Sequence, residues 1–177
     1  MILCLDLGTK TGWALQTDSG IVSGSVSFAT KRNEGGGMRY LKFRRWLTEI
    51  KQKFVTEIYY EEVRNHNGIT AAHVYGAFQG ILTAWCEHHE IPYQSVPVGT
   101  IKKFATGRGN ADKQAMIEAA KLAGFDPVDD NEADAIHLLR FVMISEDVRL
   151  SMWRENTLEN SMSQRLQRKC MEKVEGR

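Results

Sequence analysis

The sequence predicts an α/β protein built on a mixed five-stranded sheet, three antiparallel strands continued by parallel ones, and flanked by helices. Three observations carry this. Residues 1–28 hold three short apolar runs whose links are too short for anything but antiparallel pairing. Two further strand-like runs follow, each preceded by a segment with helical periodicity. The order β-β-β-α-β-α-β-α therefore gives strands with helical crossovers, hence a mixed sheet covered by helices.

The elements follow in order. MILCLDLG (residues 1–8) is an apolar run broken by one acid and closed by Gly8. GWALQT (12–17) and IVSGSVSF (21–28) are strands separated by the turn signal Asp18-Ser19-Gly20. The polar stretch TKRNEGGG precedes a helix over residues 38–53, where Phe43, Trp46, Leu47, Ile50 and Phe54 form one apolar stripe. VTEIYYE (55–61) is a fourth strand, and after the loop RNHNGIT a helix spans 71–89, with Val74, Phe78, Ile81, Leu82 and Trp85 on one face. Gly76 and Gly80 lie four apart on another stripe, where close helix packing is the simple explanation. IPYQSV (91–96) is the fifth strand. A short helix near 98–105, the loop TGRGN, a helix over 111–123 and a last helix over 131–144 complete the domain.

One domain, residues 1–147, accounts for this pattern. Residues 148–177 carry no strand signal, seven basic and four acidic residues, and Leu158, Met162 and Leu166 at helical spacing. They read as a weakly amphipathic helix, a frayed tail or an oligomer contact.

The chain of 177 residues is 42% hydrophobic and 25% charged, which excludes disordered, collagenous and membrane classes. Its apolar runs fall short of the ~18–20 residues that a membrane span needs, so no membrane partner is expected. MILCLDLGTK resembles neither a signal nor a transit peptide. Cys4, Cys86 and Cys170 are odd in number and far apart, which fits a reducing cytoplasm better than a disulfide framework or a zinc site. The net charge of +1 is unpromising for a nucleic-acid binder, whose usual mark is a strongly basic domain.

Three acids stand out. Asp6 lies in an apolar strand, where a carboxylate is disfavoured by propensity and needs a partner or a metal. Glu61 and Glu62 end the fourth strand, and because side chains alternate only one of them can share the Asp6 side. Asp134 opens the apolar face of the last helix, with Asp130 and Asn131 four and three residues earlier. A strand-end turn cap for Asp6, an ordinary sheet-edge acidic pair for Glu61 and Glu62, and helix capping for Asp134 explain each one singly. Together, two strand-borne carboxylates and one helix-borne carboxylate can converge in a mixed α/β fold, and three acids cannot sit together without a cation. Oxygen-only ligands select Mg²⁺ or Mn²⁺ over zinc. Two such ions ~3.5–4 Å apart clamp the attacking and leaving oxygens of phosphoryl transfer. Asn110 is a candidate cap for the helix that follows, and Lys113 falls in its first turn, where a cation opposes the helix dipole. It is either a solvated surface lysine or a support for a phosphate or a metal-bound water.

Asp6 in LCLDLGTKTGWA, Glu61 in YYEEV, the ADK of residues 111–113 and EADAI at 132–136 resemble the RuvC family of Holliday-junction resolvases, within the RNase H-like superfamily. The length and GAFQGI at 76–81 are most similar to its phage-borne branch, and the resemblance covers roughly residues 1–145. It implies an RNase H-like fold and a two-metal-ion, Mg²⁺- or Mn²⁺-dependent endonuclease, a homodimer nicking four-way DNA junctions to leave 5′-phosphates. Asp6 and Glu61 would bind metal, and Lys113 would assist the attacking water or the scissile phosphate. The last helix would supply two ligands three apart, Asn131 and Asp134. The family's residue at the first of these is usually Asp; either Asn131 serves as a weak ligand or Asp130 replaces it. Arg64 stands where cellular resolvases often carry an aromatic, so guanidinium stacking or a phosphate contact would replace ring stacking there.

Counted by segment, the charge is uneven. Residues 31–53 hold eight basic residues (Lys31, Arg32, Arg39, Lys42, Arg44, Arg45, Lys51, Lys53) against Glu34 and Glu49. Residues 100–113 carry Lys102, Lys103, Arg108 and Lys113 against Asp112, whereas 114–147 hold eight acids and two bases. The two basic segments, with GGG at 35–37, are the expected contacts to the backbones of two duplex arms, giving salt-dependent affinity and little sequence information. Three rival readings stand beside this one: a YqgF-like RNA-processing nuclease, a non-catalytic junction-binding protein, and an actin-like ATPase suggested by Asp-Leu-Gly-Thr. The last needs two lobes to enclose a nucleotide, so no nucleotide cofactor is expected. His66, His73, His88, His89 and His137 read mostly as surface or packing residues, with an approach of His137 to the site as the lesser alternative.

Overall fold

In a computed structural model of the chain, which describes residues 1–64 and 68–147, the first three strands form an antiparallel meander. They are β1 (Ile2–Asp6), β2 (Lys10–Thr17) and β3 (Gly20–Ser27). Helix α1 (Met38–Lys51) crosses to β4 (Glu57–Glu62), and α2 (Ile69–His88) crosses to β5 (Tyr93–Pro97). Both β4 and β5 run parallel to their neighbours, so the sheet has the order β3-β2-β1-β4-β5. Helices α3 (Val98–Thr106), α4 (Lys113–Leu122) and α5 (residues 130–147) follow. This is the mixed sheet that the strand order predicts. Met1–Phe141 make one compact unit; of the second, Val142–Arg177, only the helical residues 142–147 are described, and the expected tail at 148–177 and His66 lie outside the described residues.

Register assigns the two faces of the sheet. Leu3 pairs with Leu15, Leu5 with Trp13 and Leu3 with Ile58, which places large apolar side chains on one face. There they join Phe43, Leu47 and Ile50 of α1 and Phe78, Leu82 and Trp85 of α2 in the main core. Transfer of such side chains from water stabilises by roughly 1.5–3 kcal/mol each.

The opposite face is lined differently. Cys4 pairs with Ala14 and Asp6 with Gly12, and Gly12 in turn pairs with Ser25. These are small residues, and α5 lies directly on them. A Cβ at Gly12 would stand 1.8 Å from the carbonyl oxygen of Asn131 and 2.8 Å from the nitrogen of Glu132. Backbone meets backbone here, so only glycine fits.

Polar bonds fix this contact. Ser25 Oγ donates to Asp129 Oδ1 at 2.6 Å, Ser23 Oγ donates to Glu132 Oε1 at 2.7 Å, and Lys10 Nζ pairs with Asp129 Oδ2 at 2.6 Å. Asp129 Oδ1 also accepts from the Glu132 backbone N–H, and Glu132 Oε2 from that of Val128, so the same acids cap the helix. Beyond the first turn, buried His137 places Nε2 3.0 Å from the carbonyl of Met116 in α4, while Phe141 meets Phe104 of α3 edge to face.

Three expectations need correction. Helix α1 ends at Lys51, and Phe54, after a turn, has φ +61° and is 79% exposed, so it does not extend the apolar stripe. Helical periodicity carries no further than the helix itself. Gly76 and Gly80 pack against nothing: a Cβ at either would meet no atom within 4 Å. The cap of α4 is Asp112, whose side chain accepts from the Ala115 N–H at 2.9 Å, rather than Asn110. His137 is the packing residue that the sequence suggests, fully buried with its Nδ1 3.2 Å from Arg140. No helix among the described residues is long and apolar enough to cross a membrane.

Gly12→Ala forces α5 away from β2, and a loss of about 1–3 kcal/mol is expected. Urea unfolding should show a lowered midpoint with an unchanged slope. Gly36→Ala, where a Cβ meets nothing within 4 Å, is the control. A Gly12→Ala midpoint equal to wild type would mean that α5 does not rest on β2.

Candidate metal centre

Three elements deliver carboxylates to one point. Asp6 ends β1, Glu61 lies one residue from the end of β4, and Asp134 sits one turn into α5. Tyr59 pairs with Cys4, so Glu61, two residues on, shares the Asp6 face, whereas Glu62 points the other way and pairs with Arg64 at 3.2 Å. One carboxylate oxygen from each of Asp6, Glu61 and Asp134 lies within 4.8 Å of the others. Glu61 is buried, and the other two are partly so.

The electrostatics of this arrangement are unfavourable without a cation. Burial and then the charges of Asp134 and Asp130 push Asp6 up to about 8. Burial, Asp6 and Asp134 raise Glu61 well above the usual carboxylate range. Burial lifts Asp134 to about 6 against the opposing pull of Lys102. Asp134 Oδ1 is moreover buried with no hydrogen-bond partner among the described residues. An all-oxygen, multiply anionic donor set with an unpartnered carboxylate oxygen fits a hard divalent cation.

The turn after β1 is fixed by buried Thr11, whose Oγ1 donates to the Gly8 carbonyl at 2.8 Å and accepts from the Gly8 N–H. Tyr75 of α2 donates its hydroxyl to the Glu61 carbonyl at 2.8 Å and so secures the end of β4. Neither residue stands out in the sequence, because each acts on backbone brought near by the fold.

The remaining predicted residues distribute as follows. Asp130 lies outside the converging three and is ion-paired with Lys113, which that bond raises above its ordinary value. Asn131 is half-buried and places its carbonyl on Gly12. Lys102 donates to the Ala111 carbonyl at 2.7 Å, and its charge favours ionised Glu61 and Asp134, which sets it beside the acids. Arg39 donates to Thr9 Oγ1 at 3.3 Å and to the Gly36 carbonyl at 3.2 Å, which ties the glycine run to the turn after β1. Lys42 pairs with Glu34 at 2.6 Å, and Glu34 also accepts the Lys31 N–H. Arg45 lines a shallow depression of about 380 Å³ on α1 with Leu41, Arg44 and Thr48. Lys31, Arg32, Lys103, Arg108 and Arg64 are exposed.

The raised carboxyls set a pH dependence. An acid with a folded pKa above its unfolded value binds more protons when folded, so stability falls as pH rises. For Asp6 the window runs from about 4 to about 8. The melting-temperature difference between metal-free Asp6→Asn and wild type should therefore grow in favour of the variant across that window, and saturating Mg²⁺ should cancel it. A difference independent of pH would contradict the proximity of the three acids.

No family model and no curated protein matches the chain. Solved structures do. Thermus thermophilus RuvC in complex with Holliday junction substrate matches with a TM-score of 0.63 at 18% identity, over 77% of this chain and 88% of that one. A structure of Thermus thermophilus RuvC matches with a TM-score of 0.57 at 18% identity, over 77% and 89%. The yeast mitochondrial Holliday junction resolvase Ydc2 matches with a TM-score of 0.52 at 14% identity, over 77% and 74%. The chain therefore has the RNase H-like fold in its RuvC-like form.

Proposed function

We propose that the chain is a metal-dependent, structure-selective endonuclease that hydrolyses phosphodiesters of four-way DNA junctions, leaving 5′-phosphate nicks. The observation that carries this reading is the convergence of Asp6, Glu61 and Asp134 in a RuvC-like fold. The similarity to a resolvase solved with its junction substrate supports the choice of DNA.

Asp6, Glu61 and Asp134 would hold two Mg²⁺ or Mn²⁺ ions, which when bound supply charge stabilisation and activation of water for phosphoryl transfer. The protein's own residues do the rest. The three carboxylates fix where that chemistry takes place. Lys113, whose side chain is 81% exposed, can meet a phosphate oxygen arriving at the site. Lys102 balances part of the anionic charge of Glu61 and Asp134. Arg39, anchored beside the turn after β1, and Lys31, Arg32, Lys42, Arg45, Arg64, Lys103 and Arg108 would contact the phosphates of duplex arms. Such contacts position DNA without reading its sequence. A homodimer would present two such centres to the two-fold symmetry of the junction. A reducing cytoplasm suits the buried, unpaired Cys4 and Cys86.

Labelled four-way junction, duplex and RNA–DNA hybrid, each with and without Mg²⁺, test this. Junction nicking should require the metal, and Asp6→Asn, Glu61→Gln or Asp134→Asn should each lower it by roughly 10³-fold or more. Junction affinity of Asp6→Asn should stay within about threefold of wild type, because affinity resides in phosphate contacts elsewhere. Cleavage of RNA with the junction left intact would overturn the reading.

A further inference from the structure

Asp130 and Lys113 form an ion pair between the first residues of two helices. A lysine at the start of α4 opposes the helix dipole, and Asp112 already caps that helix. Local helix stability therefore does not account for Lys113. What holds it comes from α5: the lysine, 81% exposed, reaches a carboxylate that is only 23% exposed. Both ends are anchored. Asp129, next to Asp130, is fixed by Ser25 and Lys10, and α4 is joined to α5 by the buried bond between His137 and Met116. Asp130 is not among the three acids that converge, yet its charge acts on Asp6 and Asp134, and that of Lys113 acts on the same two with opposite sign.

We propose that Asp130 is the positioning residue of Lys113 rather than a metal ligand: its carboxylate holds the ammonium at the edge of the Asp6–Glu61–Asp134 cluster, and the two form a neutral unit beside it. This rests on the metal-centre reading above and gives a role to the acid that the sequence left open. The unit keeps a cation within reach of an incoming phosphate without lowering the attraction of the cluster for a divalent ion. The two charges cancel at the cluster, and neither cancels alone.

The test is a double-mutant cycle read by calorimetric titration of the full chain with Mn²⁺ alone. Lys113→Ala should bind Mn²⁺ roughly 3–10-fold more tightly and Asp130→Asn roughly 3–10-fold more weakly than wild type. Lys113→Ala/Asp130→Asn should return to within about twofold of wild type. Junction cleavage should lose kcat rather than KM in both single variants, the double variant should be no slower than Lys113→Ala, and Asp130→Glu should restore activity. A double variant as weak for Mn²⁺ as Asp130→Asn would make Asp130 a ligand and overturn the inference alone. A wild-type chain that takes up no Mn²⁺ would overturn the metal-centre reading and this inference with it.

Discussion

The contact on which the site depends is the one between Gly12 and the carbonyl of Asn131. Gly12 is the register partner of Asp6, so the point where α5 comes nearest the sheet is beside the central acid. A side chain there would hold the helix off by at least the thickness of a methyl group. Asp134, one turn farther along, would then be withdrawn from Asp6 and Glu61 by a similar amount, and a cluster of oxygens within 4.8 Å would open. Cys4 and Ala14 continue the same low surface along the sheet. The large residues are on the other face, where α1 and α2 need volume to bury rather than proximity. The two faces thus divide the work: one supplies stability by apolar burial, the other brings backbone close enough to place a carboxylate.

That proximity is held against electrostatic resistance. Three acids whose burial and mutual repulsion raise their proton affinity push α5 away from the ends of β1 and β4. The bonds from Ser23 and Ser25 to Glu132 and Asp129, together with the exposed Lys10 on Asp129, act in the opposite sense, and a hydroxyl bond to a charged group stabilises by roughly 1.5–3 kcal/mol. They act on Glu132 and Asp129, two and five residues before Asp134, where they resist its displacement without pairing with its carboxylate. The strain is therefore restrained mechanically while the charge is left uncompensated, which is the condition a cation site requires.

The fold and the three acids were legible because each acid departs from a local rule, and although a local explanation covers each one singly, none covers all three together. Asp6 interrupts an apolar strand, Glu61 ends one, and Asp134 begins the apolar face of a helix. What was not legible depends on contacts between distant segments. Gly12 reads as an ordinary strand glycine until Asn131, near the other end of the domain, is laid on it. Tyr75 reads as core, and its hydroxyl acquires a role only when α2 brings it to the Glu61 carbonyl. Lys102 reads as one more cation of a basic segment, and only the return of the chain through Ala111 sets it beside the acids. Asn110 and Asp112 are both good caps by composition, and the choice falls to the one whose oxygen reaches Ala115. Gly76 and Gly80 show the converse: a spacing that suggests packing, with open space beside it.

The near-neutral net charge acquires a meaning at this level. Asp129 has Lys10, Asp130 has Lys113, Glu34 has Lys42 and Glu62 has Arg64. Each of these acids is matched by its own cation, whereas Asp6, Glu61 and Asp134 form no such pair among the described residues and have only Lys102 and Lys113 acting from nearby. A divalent ion therefore finds its largest uncompensated charge at one place, although the total charge of the chain gives no sign of it. The same pairing bears on a polyanion. Cations already bound to a neighbour, such as Arg39 on Thr9, lose little side-chain freedom on meeting a phosphate, while exposed ones such as Arg32 and Arg108 lose more. On the junction-nuclease reading, the anchored cations beside the site govern where the backbone rests and the exposed ones add salt-sensitive affinity. An evenly basic surface would hold DNA tightly without placing a phosphate anywhere in particular.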